Sequence, residues 1–126
     1  VSIVAMAASS LKRIGAGPRL AEAVIHSGIA YLAGQVPDGA PEADITAQTR
    51  EVLAHVERVL KEAGSDKSRI LQCQIFLRDI ADIAAMDAVW DQWVPAGHAP
   101  PRATVQAALA DPRWRIEVVL VAALVP

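Results

Sequence analysis

Cysteine is nearly missing: Cys73 is the only one in 126 residues. A lone thiol forms neither an intrachain disulfide nor a thiolate metal cluster, so a reducing compartment is the simplest setting. Its neighbours from Ile70 to Leu77 read as a strand, which makes Cys73 a small packing residue rather than a nucleophile. Positive charge is also sparse. The net charge is −2 with Lys and Arg scattered, so neither a duplex footprint nor a basic, aromatic-lined groove for single strands is present, and nucleic acid is not an expected partner. No apolar run is long enough to span a membrane, so a membrane is not expected either. His26, His55 and His98 show no metal-ligand spacing, and no metal site is expected. His26 should be half-buried at a hairpin and His55 should face solvent. Gly34-Gln35 is too short to cradle a phosphate, so no nucleotide cofactor is expected. The serines sit in turns without a nucleophile-elbow context.

What is abundant is apolar side chain. Hydrophobic residues make up 53% of the chain against 21% charged, a surplus over the needs of a small monomer that points to a buried oligomer interface. The length fits one compact domain. Val1 to Ala8 are apolar but lack the charged lead and the length of a secretory signal, so a cytoplasmic setting is expected. Met6 is a candidate start, which would make Val1 to Ala5 an upstream extension. Residues 1–13 are read as extension and lead-in, and residues 14–126 as a single domain.

Ala23 to His26 and Ile29 to Ala33 flank the turn signal Ser27-Gly28 and predict a hairpin. Asp44 is a good N-cap for a long helix whose apolar face runs from Ile45 through Val52, Val56 and Val59 to Ala63, with Gly64 as its stop. The opposite face, with Glu51, His55, Glu57, Arg58 and Lys61, reads as solvated, with Glu57 and Lys61 in favourable i,i+4 spacing. Ser68 to Leu77 predicts a strand. A second helix follows, capped by Asp79 or Asp82 and ending at Trp93, with Trp90 and Trp93 as core or interface residues. Two strands complete the chain, Arg102 to Leu109 and about Trp114 to Val125, separated by a turn at Asp111-Pro112. The order ββαβαββ does not alternate strictly, so an α+β fold with a mixed sheet and both helices on one face is expected.

Two charged residues interrupt these last strands: Arg102 in Pro100-Pro101-Arg102-Ala103-Thr104-Val105, and Glu117 in Ile116-Glu117-Val118-Val119. A carboxylate in such a run must meet a cation, a donor or a ligand, or else keep its proton. If the two strands are antiparallel neighbours, Arg102 and Glu117 share a face. The pair then reads either as a structural ion pair or as a small-molecule site holding a carboxylate clamp and an acid/base group.

Tyr31-Leu32-Ala33-Gly34-Gln35-Val36-Pro37, the helix ending Ala63-Gly64, Ala99-Pro100-Pro101-Arg102-Ala103-Thr104-Val105 and Ile116-Glu117-Val118 together resemble the reactive intermediate deaminase family, also called YjgF or Rid. Met86-Asp87 through Trp90-Asp91-Gln92-Trp93, with Gly97-His98-Ala99-Pro100, is most similar to the YoaB-like branch. The resemblance implies a chorismate-mutase-like homotrimer, with sheets around a central barrel and clefts between subunits. It also implies cofactor-independent hydrolysis of a small enamine or imine, such as 2-aminoacrylate, to a 2-keto acid and ammonia, the 2-iminobutanoate/2-iminopropanoate deaminase activity. In that scheme Arg102 binds the substrate carboxylate, Glu117 positions the attacking water, and Gly34 lines the cleft through its backbone. Leu20 stands near a position that is often Tyr, Ala33 at one often Ser, and Thr104 at one often Cys. These departures imply a different or looser pocket. The competing readings are a non-catalytic, small-carboxylate-binding or chaperone-like trimer, disfavoured by an acid beside the clamp, and an endoribonuclease, disfavoured by charge.

Overall fold

The computed structural model describes residues 10–126; the readings on Met6 and on residues 1–9 lie outside the described residues. Six strands form one sheet: β1 (Lys12–Ile14), β2 (Ala23–His26), β3 (Ile29–Leu32), β4 (Ile70–Leu77), β5 (Arg102–Gln106) and β6 (Ile116–Ala123). Helix α1 (Ile45–Ala63) joins β3 to β4, and α2 (Ile83–Trp93) joins β4 to β5. The spatial order is β1-β2-β3-β6-β4-β5. All neighbours are antiparallel except β4 and β5, which run parallel. Parallel neighbours need a long crossover, and α2 is that crossover.

Asp44 caps α1 by accepting from the backbone N–H of Ala47 at 2.9 Å. Gly64 closes the helix in the left-handed conformation, φ 89°, where a Cβ would be strained. The buried face of α1 includes Val52, Val56, Val59 and Leu60, packed over Cys73, Ile75 and Leu77 of β4 and Ile116, Val118, Leu120 and Ala122 of β6. The surprise on this face is Gln48, which is fully buried. Its Nε2 donates to the carbonyls of Pro41, Ala43 and Arg113, and its Oε1 accepts from the N–H of Arg115. A buried amide satisfied on both ends is a rigid tie. It pins the start of β6 to the helix, and so fixes where the residues after Arg115 begin to alternate.

The mixed sheet with both helices on one face is as the sequence predicts. The structure adds the short strand β1, which begins the sheet at Lys12 inside the segment read as a lead-in. It also overturns one expectation: β5 and β6 are not neighbours, because β4 lies between them. The turn at Asp111-Pro112 looks like a hairpin turn in sequence, but the parallel pairing that α2 imposes on β4 and β5 leaves the inner place for β6.

Candidate functional site

Alternation along β6 buries Ile116, Val118, Leu120 and Ala122 under the helices and turns Glu117 to the opposite face. Gln35 exchanges two backbone hydrogen bonds with Val118, 2.8 and 3.0 Å, which draws Gly34 alongside Glu117. The approach is so close that a Cβ on Gly34 would stand 2.2 Å from Oε2 and 2.9 Å from Cδ of Glu117. The carboxylate therefore rests on bare backbone. Burial raises its pKa above the ordinary 4.5. The sequence required this carboxylate to find a partner or to favour its proton, and desolvation takes it the second way.

Arg102 lies on the other side of the sheet. It is in register with Cys73, and Cys73 with Leu120, so Arg102 shares the helix-facing side, whereas Glu117 is in register with Phe76 on the far side. The expected shared face is thus corrected: within one chain the sheet separates the two groups. Arg102 Nη1 meets Asp87 Oδ1 of α2 at 2.7 Å, and the guanidinium lies 5.1 Å from the centroid of the Trp90 ring one turn further on. Thr104, two residues along and on the same side, has its Oγ1 buried without a hydrogen-bond partner. Arg102 also lines a cavity of about 320 Å³ together with Leu71, Gln72, Cys73, Pro101 and Ala103. Burial pushes the Cys73 thiol up to about 12, which leaves a packing residue and no nucleophile.

A second cavity, of about 240 Å³, brings together Leu20, Ala33 and Gly34, residues far apart in sequence, with Glu22, Gln35, Val36, Asp38, His55 and Arg58. Arg58 grips Glu22 with both terminal nitrogens, at 3.1 and 3.2 Å. His55 does not face open solvent as expected. Its Nε2 is 3.0 Å from Glu51 and 3.3 Å from Asp38. The Glu51 carboxylate also accepts from the N–H groups of Gly39 and Ala40, so this trio ties the 36–43 loop to α1. The i,i+4 spacing of Glu51 and His55 was the available signal; the loop that folds over them was not legible. Glu57 likewise meets Lys67, not Lys61. His26 is half-buried, with Nδ1 3.2 Å from the carbonyl of Ser10.

The structure thus places an acid against Gly34 on one face of the sheet and a cation that lines a cavity on the other. Asp87 and Trp90, which hold the cation, are the functional neighbours that spacing alone missed.

The family profile described as Endoribonuclease L-PSP matches residues 10–124. A RutC family protein of Haemophilus influenzae is 46% identical over 113 residues, covering 90% of this chain and 97% of the relative. The RutC family protein YoaB of Escherichia coli is 46% identical over 115 residues, covering 91% of this chain and 99% of YoaB. Among solved structures, a YjgF-family protein of Neisseria meningitidis superposes with a TM-score of 0.89 at 42% identity, covering 94% of this chain and 98% of that one.

Proposed function

Because the chain belongs to the Endoribonuclease L-PSP (YjgF/Rid) family, we propose that it is a deaminase that hydrolyses small 2-imino or 2-enamino acids, such as 2-aminoacrylate, to a 2-keto acid and ammonia. The observation that carries this reading is Glu117: a desolvated carboxyl with a raised pKa, seated against a residue without a side chain. A carboxyl whose burial favours the protonated form can hold a water and exchange a proton with it. Arg102 supplies the other requirement, a planar fork for the substrate carboxylate. Gly34 sets bare backbone against the acid, and Leu20 and Ala33 line the cavity that Gly34 also borders.

The imine carbon is already electrophilic, so positioning and proton management are what remains to be supplied. The enamine tautomer first takes a proton at carbon to become the imine. Water then attacks the C=N carbon while Glu117 accepts its proton. The nitrogen, protonated in turn, leaves as ammonia as the carbinolamine collapses to the ketone. No resident metal or cofactor enters this scheme.

Since Arg102 and Glu117 lie on opposite faces of one sheet, a complete site takes them from different chains. A homotrimer with the clefts between subunits meets that need, and it covers the outer sheet face, where Tyr31 and Val105 are 48% and 44% exposed. Purified protein is assayed on enzymatically generated 2-aminoacrylate, with light scattering on the same sample. Three chains per particle are expected. Glu117→Gln should lower turnover by about 10²–10⁴ while a 2-keto acid still binds. Full hydrolysis by a stable Glu117→Gln protein rejects the catalytic role, and a stable monomer at micromolar concentration rejects the shared site.

A further inference from the structure

The carboxylate that meets Arg102 inside the chain is Asp87, and the manner of the contact is informative. Asp87 Oδ1 is sealed from solvent and lies 2.7 Å from Nη1, yet it accepts no hydrogen bond. The contact is charge against charge, off the N–H direction. Asp87 therefore offsets the positive charge of Arg102 without occupying its donor fork. Trp90, three residues further along α2, places its ring 5.1 Å from the guanidinium and steadies it from a second side. The result is a cation whose charge is partly compensated while its hydrogen-bonding geometry stays open to the cavity at Pro101 and Ala103.

A charge-compensated guanidinium discriminates differently from a bare one. A bare cation attracts any anion, with an energy set by charge and distance. A compensated one gains little from charge alone and depends on two parallel N–H···O bonds, which a planar carboxylate accepts and a tetrahedral or spherical anion accepts less well. We propose that Asp87 is a specificity-determining residue: it lowers the general anion affinity of Arg102 so that planar 2-keto or 2-imino carboxylates are selected over inorganic phosphate and chloride. This rests on Arg102 being the carboxylate clamp of the proposed function.

The test is calorimetric titration of the intact protein with 2-oxobutyrate and with inorganic phosphate at two salt concentrations, for the wild type, Asp87→Asn and Arg102→Ala. Asp87→Asn keeps the shape and removes the charge. Its phosphate affinity should rise about three- to tenfold, with a steeper salt dependence, while 2-oxobutyrate gains less, so the preference for the carboxylate falls. A merely structural Asp87 would instead lower both affinities together, along with the melting temperature, and that outcome overturns the proposal. An unchanged preference, within twofold, also overturns it. Arg102→Ala separates the two levels of the argument. If it loses 2-oxobutyrate binding while Asp87→Asn keeps its preference, only the role of Asp87 falls; if it binds as wild type does, the clamp and the role of Asp87 fall together.

Discussion

Replacing Gly34 by Ala tests the seat of the proposed acid with one methyl group. The φ of Gly34 is not in the left-handed region, so the backbone accepts Ala without strain. What it meets is the Glu117 side chain, with Oε2 at 2.2 Å and Cδ at 2.9 Å from the new Cβ. Relief to the ordinary contact of 3.4 Å requires the carboxylate end to move by about 1.2 Å. The neighbour that yields is the far end of a flexible side chain, so the fold should tolerate the change. The loss of unfolded-state entropy that accompanies Gly→Ala works in its favour by about 0.4–1 kcal/mol. The melting temperature should therefore stay within about 4 °C of wild type. Catalysis is less forgiving. A misplacement of about 1 Å can cost on the order of 10²-fold, so imine turnover should fall by roughly 10- to 100-fold. The double variant Gly34→Ala with Glu117→Asp shortens the acid by one methylene and clears the methyl. The methyl should therefore cost less rate in the Glu117→Asp background than in wild type, which a double-mutant cycle reads as positive coupling. Wild-type turnover in a well-folded Gly34→Ala protein would refute the idea that the acid must rest on bare backbone. A collapse of stability would show instead that the packing around Gly34 is rigid.

Arg102→Lys keeps the charge but loses the planar fork, so carboxylate affinity should drop at least about tenfold, with Arg102→Ala lower still; equal binding by all three proteins removes the clamp. Glu117 also makes a pH prediction. Its folded pKa is raised above the unfolded value near 4.5, so the native state binds more protons in the window above 4.5, and stability falls as pH rises through it. Glu117→Gln should accordingly melt higher than wild type at pH 7, with the advantage disappearing below about pH 4; a lower melting point at pH 7 would show that the charged form makes stabilising contacts.

The helices were the most legible part of the chain because their signals are local. Asp44 and Gly64 end α1 where capping chemistry places them, and the apolar face of α1 is the buried one. Strand neighbours were less legible, because pairing is decided by crossovers. Nothing in Asp111-Pro112 announces that β4 will separate β5 from β6. Glu117 and Arg102 stood out as charges in apolar strands, and Gly34 proves to touch the first of them. The face on which each charge lies could not be set from alternation alone, since that requires the register between strands. Gln48 shows the same limit: it falls on the apolar face of α1 and is buried there, but two of its four partners, Arg113 and Arg115, come from a distant segment.

The opposed placement of Arg102 and Glu117 has a genetic meaning. A chain carrying Arg102→Ala still offers an intact acid, and a chain carrying Glu117→Gln still offers an intact clamp. If the proposed site between subunits holds, two dead alleles co-expressed in equal amounts should assemble mixed particles in which about one cleft in four joins the good half of each. Activity should reappear at roughly a quarter of normal in the mixture, and not at all when the two purified variants are combined without exchange of subunits. The converse holds for a chain bearing both substitutions, which can rescue neither allele and dilutes the clefts of any wild-type chain it joins.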